Sequence, residues 1–299
     1  MYTFQKMVIM EPSNVSPEMM EELNKMARDI KAYDDIPQNE AEIIRRIKDA
    51  EAVLMSYTSV LSKNILEKCD NLKYIGLCCS LYAPESANVD IQTATERGIT
   101  VTGVREYGDN GVVEFVLYEI IKLFHGYGTH MFEDYAKEIS ETKMGIIGLG
   151  DTGRKIAGAL QNLGAEVYYY SRTRKPEQEN NGIHYLPLGE LLQSCCVVCT
   201  CLNKNVVLLK EEEFRCLGEH SLLLNTGLSP SFEIEALQNW LQRPQTYFSC
   251  DSDLALGDPS LLSYENVSCK HKASGGTTQA LRRLNQKVLE NLHTYLQAH

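Results

Sequence analysis

Hydrophobic and polar positions along the chain follow two alternating rhythms. Apolar runs of strand length occur at KMVIME (6–11), EAVLMSY (51–57), KYIGLCC (73–79) and ITVTGV (99–104). Between them lie stretches with helical spacing: PEMMEELNKMARDIKAY (17–33), EAEIIRRIKDA (40–50), LSKNILEKC (61–69) and VDIQTATERG (89–98), the last stopped by Gly98. GVVEFVLYEIIKLFHGYG (111–128) reads as a long apolar helix ending in glycines, and FEDYAKEISETK (132–143) as a polar connector. A second alternating series opens at Met144. It runs through GIIG, TGRKIAGALQNLG, AEVYYY, LGELLQSC, CVVCTCL, EEEFRCLGEH, SLLLNTG, EIEALQNWL, TYFSCD and NVSCK. QALRRLNQKVLENLHTYLQA (279–298) closes the chain as an amphipathic helix. Repeated strand–helix units predict an α/β fold in which parallel sheets carry helices on both faces.

At 299 residues the chain has room for two domains, with a boundary near residue 104. A 43% apolar and 23% charged composition is that of a soluble globular protein. No apolar run approaches the length of a membrane span, and the N-terminal MYTFQKMVIMEPS lacks the pattern of a secretory signal. A cytoplasmic protein is expected. The net charge of −11 argues against nucleic acid as a partner.

Ten cysteines in such a chain are expected to be reduced thiols. Four of them crowd into 195-CCVVCTCL-202, which invites a metal reading. The segment is apolar and β-branched, so it is predicted to be a strand. Cys196 and Cys199 would then face opposite ways and could not share one ion. Buried thiols, and no metal, are expected.

The stretch 143-KMGIIGLGDTGRKIAGALQNLGAEVYYYSRTRK-175 carries the clearest chemistry. Gly148, Gly150 and Gly153 form G-x-G-x-x-G between a predicted strand and a predicted helix, with a further strand beyond. Gly148 permits the tight turn, Gly150 lets backbone approach a pyrophosphate, and Gly153 lets helix and strand pack closely. The helix N-terminus, at Asp151 and Thr152, offers N–H donors and a positive dipole end to the anion. A dinucleotide is the expected ligand. An acid after the second strand would bind the ribose hydroxyls of NAD(H), but the chain has Ser171-Arg172-Thr173 there. Hydroxyls and a guanidinium suit a 2′-phosphate, so NADP(H) is favoured, with NAD(H) possible.

Five ordered segments resemble the D-isomer-specific 2-hydroxyacid dehydrogenases over nearly the whole length. They are LKYIGLCC…NVDIQTATERGITVTGV, MGIIGLGDTGRKIA, LGELLQSCCVVCTCLNKN, FRCLGEHSLLLNTGLSPSFEIEAL and CDSDLALGDPSLLSYENVSCKHKASGGTT. The resemblance implies two Rossmann-like, doubly wound parallel-sheet domains with an interdomain cleft. Residues 1–104 would be a flavodoxin-like substrate domain, completed by a C-terminal helix within 273–299. Residues 105–272 would be the Rossmann dinucleotide-binding domain. A homodimer and a small-molecule carbonyl or hydroxy-acid substrate are also implied.

The same resemblance implies site residues. Cys201, Leu202, Asn225, Thr226 and Gly227 would line the cofactor, with Asp251 near its carboxamide end. Ser80, Leu81, Tyr82 and Ala83 match the loop that binds the substrate carboxylate, without its glycines. His271 matches the acid–base histidine, although Lys270 precedes it where the family has Pro. The family's catalytic Arg and Glu are replaced by Leu228 and Leu256. Arg105 is the candidate for anion binding, and Asp258 or Asp253 for the carboxylate partner of His271. Two readings follow: an oxidoreductase weak on standard 2-keto acids, or a nucleotide-binding protein whose catalysis is lost or altered.

Overall fold

The computed structural model describes residues 3–82, 84 and 87–299; Ala83 lies outside them. The chain divides into two compact units, Met1–Tyr107 with Thr278–His299, and Gly108–Thr277.

The first unit is built on β1 (Phe4–Ile9), α1 (Pro17–Met26), β2 (Ala27–Ala32), α2 (Glu40–Ile47), β3 (Ala52–Met55), α3 (Lys63–Leu66), β4 (Tyr74–Ser80), α4 (Ile91–Glu96) and β5 (Thr100–Val104). Its five parallel strands run β2-β1-β3-β4-β5. Alternate strand residues feed two core layers. Val8, Val53 and Ile75 meet α2 and α3 on one face, while Met7, Leu54 and Tyr74 meet α1 and the last helix (Thr278–Ala298) on the other.

One expectation fails here. The segment 17–33 was expected to be a single helix, but α1 stops at Met26 and Ala27 is already extended (φ −137°). ARDIKA then pairs with β1, from Phe4↔Ala27 to Ile9↔Ala32. As an edge strand it keeps most side chains in water, so its polar positions imitate a helix surface.

The second unit contains α5 (Asp109–Phe124), β6 (Lys143–Ile147), α6 (Asp151–Asn162), β7 (Glu166–Tyr170), α7 (Pro176–Asn180), β8 (His184–Tyr185) and α8 (Leu188–Ser194). There follow β9 (Val197–Thr200), α9 (Glu211–Leu217), β10 (Ser221–Asn225), α10 (Ile234–Leu241), β11 (Thr246–Cys250), α11 (Asp253–Leu256) and β12 (Val267–Cys269). The seven strands are parallel, in the order β12-β11-β10-β9-β6-β7-β8. Chain direction across the sheet reverses between β6 and β9. Such a reversal opens a crevice at the carboxyl ends of the two strands, where α/β sheets bind ligands.

The cysteine-rich segment differs from its expected form. The strand starts at Val197, so Cys196 precedes it, and Cys196 and Cys199 border the same core layer rather than opposite ones. Cys195 enters the other layer, where burial pushes its thiol up to about 12. Among the described residues no helix is long and apolar enough to cross a membrane.

Candidate active site

The crevice begins at the glycine turn after β6. Gly148 has φ +97°, and a Cβ there would stand 2.5 Å from the Cys201 carbonyl oxygen. A Cβ on Gly153 would come to 2.1 Å from the Gly148 oxygen, so strand and helix pack backbone to backbone. A Cβ on Gly150 meets nothing within 4 Å. Gly150 caps α6, so open space lies at the helix end that attracts anions. These three positions fit a dinucleotide pyrophosphate, each for a different physical reason.

The first turn of α6 is braced from α5. Thr152 Oγ1 donates to Asp109 Oδ1 (2.5 Å), and Lys155 Nζ donates to Asp109 Oδ2 (2.9 Å). Burial opposes a charge on Asp109, yet these bonds hold its carboxyl below the ordinary aspartate range. Asp151 pairs with Arg154. Asp109 carried no signal in the sequence beyond its place after Gly108.

After β7, Ser171 Oγ donates to the Thr173 carbonyl (2.6 Å). Arg174 is engaged: it pairs with Glu179 and its guanidinium carbon lies 4.9 Å from the Tyr185 ring centroid. Arg172 and Thr173 are exposed. Arg172 makes no ion pair among the described residues.

On the other side of the crevice, Cys201 Sγ lies 3.6 Å from Thr226 Oγ1, which donates to the Thr200 carbonyl (3.1 Å). Leu202 and Gly227 stand close together there: a Cβ on Gly227 would come to 3.5 Å from the Leu202 oxygen. Asn225 is fully buried. Its Oδ1 accepts from Thr200 Oγ1 (2.8 Å), and its Nδ2 donates to the carbonyls of Ala255 (2.8 Å) and Ser229 (3.1 Å). Asp251 Oδ2 accepts from Ser274 N and Oγ, while the buried Oδ1 has no partner. An orphaned carboxylate oxygen beside the crevice is an acceptor waiting for a donor such as a carboxamide.

His271 follows β12 in a left-handed conformation (φ 54°). Its Nδ1 lies 2.6 Å from Asp253 Oδ1 at the start of α11. Asp258 is elsewhere engaged: its carboxylate accepts from Ser260 N (2.8 Å) and caps a 3-10 turn (Pro259–Ser263). The structure therefore brings Asp253, and not Asp258, to His271. Lys270, beside it, pairs with the buried Glu119 of α5 (2.8 Å), which also takes Lys122 Nζ and Ser249 Oγ. Leu228 is 44% exposed in the loop after β10, whereas Leu256 is buried in the core.

In the first unit, Leu81 N donates to the Val104 carbonyl. Arg105 Nε and Nη2 donate to the carbonyls of Leu81 (2.9 Å) and Tyr82 (2.5 Å), so this guanidinium fixes the loop that follows β4. Ser80 bonds the Tyr107 phenol, whose burial raises it to about 12.

Comparisons with known proteins bear on the fold and the family. Residues 7–299 match the model of the D-isomer specific 2-hydroxyacid dehydrogenase catalytic domain. The chain is 26% identical over 278 residues to a hydroxypyruvate reductase from Blautia hydrogenotrophica, covering 85% of each chain. It superposes with a TM-score of 0.83 on an acyclic imino acid reductase in complex with NADPH and D-Arg (20% identity, 98% and 97% covered). The TM-score is 0.79 for a D-lactate dehydrogenase from Aquifex aeolicus complexed with NAD and lactic acid (20% identity, 98% and 96% covered). With the family pattern running through almost every residue of both units, this chain belongs to the D-isomer specific 2-hydroxyacid dehydrogenase family.

Proposed function

We propose that the protein is an NADP(H)-preferring reductase of small 2-keto acids or related carbonyls, with His271 as acid–base group and Asp253 as its partner. The contact that carries the reading is Asp253 Oδ1 at 2.6 Å from His271 Nδ1. A carboxylate on Nδ1 fixes the imidazole tautomer and leaves Nε2 to exchange a proton with a substrate oxygen. When bound, the nicotinamide supplies or takes up the hydride. Asp251 Oδ1 would accept from the nicotinamide carboxamide, and the backbone of Gly148–Gly153 would hold the pyrophosphate of the dinucleotide.

The preference for NADP(H) is supported by Arg172. Arg174 is committed to Glu179, which leaves Arg172, with Ser171 and Thr173, to meet a 2′-phosphate. Hydroxypyruvate and glyoxylate head the substrate class, because curated relatives are hydroxypyruvate and glyoxylate reductases. The other N–H groups of Arg105 make no hydrogen bond among the described residues and suit a carboxylate. A homodimer is supported by the exposed Tyr118, Tyr127, Met131 and Tyr135 on and after α5. A cytoplasmic site is supported by ten cysteines without a disulfide.

The test is titration with NADPH and NADH, followed by loss of reduced-cofactor absorbance across 2-keto acids and aldehydes. The exposed Leu228 in place of Arg favours a second reading, a nucleotide-binding protein without this catalysis. Tight NADPH binding with no turnover of any substrate selects that reading.

A further inference from the structure

The paired strands β11 and β12 deliver three ligand-type atoms to one place. Cys250 and Cys269 are register partners. The chain continues from Cys250 to Asp253 at the start of α11, and from Cys269 to His271. The left-handed backbone of His271 turns its ring back over Cys269. His271 Nδ1 then lies 3.9 Å from Cys269 Sγ and 2.6 Å from Asp253 Oδ1. All three atoms fall within 4.8 Å of one another. The His271 backbone N–H also donates to the same sulfur (3.4 Å), which fixes its position.

We propose that Asp253, Cys269 and His271 form a binding site for a zinc-class divalent cation. Thiolate, imidazole and carboxylate are the donors zinc takes, whereas calcium and magnesium require oxygen. Bonds of about 2.0–2.3 Å in a tetrahedron space the ligands roughly 3.3–3.7 Å apart. The sulfur–nitrogen distance already lies close to this. The Asp253–His271 pair needs to open by less than about 1 Å when an ion replaces the proton between them. The two side chains are 69% and 54% exposed, so an ion can enter and a water can fill the fourth position. The crowded cysteines at 195–201 drew the metal reading in the sequence. The better donor set is scattered over 253–271 and forms only when the strands pair.

Occupancy would take His271 Nδ1 and Asp253 from each other. Under the acid–base role proposed above, on which this consequence alone rests, the cation is an inhibitor.

Cobalt(II) titration of the full-length, metal-stripped protein reads the site through thiolate-to-cobalt charge-transfer absorption. One equivalent should raise the band, Zn²⁺ should displace it, and Cys269→Ser should abolish it. Asp253→Asn and His271→Gln should each weaken cobalt binding about tenfold or more. Zn²⁺ should also slow iodoacetamide labelling of Cys269 in the wild-type protein, read by peptide mass spectrometry. No band, a band undiminished in Cys269→Ser, or no protection of Cys269 would overturn the site. The spectrum decides this whether or not the protein turns over a substrate, and turnover of the stripped protein tests the acid–base reading separately.

Discussion

Asp253 Oδ1 and His271 Nδ1 stand 2.6 Å apart although 18 residues separate them in the chain. The pair orients an imidazole, so Asp253→Asn should lower kcat about a hundredfold with little change in KM. Asp258→Asn should stay within about twofold, because that carboxylate only caps the turn at Ser260. Steady-state kinetics on any accepted 2-keto acid compares the two.

Gly150 and Gly153 should separate binding from folding. A side chain at Gly150 enters open space at the end of α6, so Gly150→Val should keep its Tm and lose nucleotide. At Gly153 the new Cβ meets backbone at 2.1 Å, so Gly153→Ala should cost about 1–3 kcal/mol of stability. Thermal melts with and without NADPH distinguish them.

Arg172→Ala should weaken NADPH binding about tenfold or more and leave NADH nearly unchanged. Arg174→Ala removes a side chain already paired with Glu179, so it should change the NADPH-to-NADH ratio less. Fluorescence titration of both cofactors gives the ratio. Equal affinities in the wild-type protein would refute the phosphate pocket.

Leu228 already projects toward solvent, so Leu228→Arg should be tolerated without loss of Tm. If the absent guanidinium limits the rate, this variant should raise kcat/KM for 2-keto acids by about tenfold or more. An unchanged value would assign the anion to another group, Arg105 being the first to examine.

Glu119 is buried, and burial opposes its charge, but Lys122 and Lys270 hold its carboxyl below the ordinary range. A depressed folded-state value stabilises the protein above the unfolded value, about 4.3, and the stabilisation is lost as pH falls through the folded value. Glu119→Gln should therefore destabilise at neutral pH by about 3 kcal/mol, toward the lower end for a broken buried pair because both lysines are partly exposed. It should also flatten the acid limb. Urea melts between pH 7 and 3 measure both effects.

Much of the fold was readable because its strands are buried runs and its helices carry one apolar face. The glycine turn was readable because its three glycines keep a fixed spacing between a strand and a helix, although the contact that demands Gly148 comes from Cys201, far along the chain. β2 was not, since ARDIKA becomes a strand only by pairing with β1, and nothing within the segment reports that partner. The partner of His271 was left between Asp253 and Asp258 because both are loop-favouring aspartates of similar spacing. The choice is made by the pairing of β11 with β12, which brings the start of α11 to His271. Cys269 was invisible as a donor for that reason too.

Asn225 is fully buried, and its amide joins Thr200, Ser229 and Ala255. It thereby sets the spacing between the loop bearing Leu228 and the helix bearing Asp253. A side chain on that loop, such as the exposed Leu228, can be exchanged without shifting the carboxylate of Asp253. Reactivity in this fold can drift while shape holds still, and what permits the drift is a buried amide that ties the two segments together.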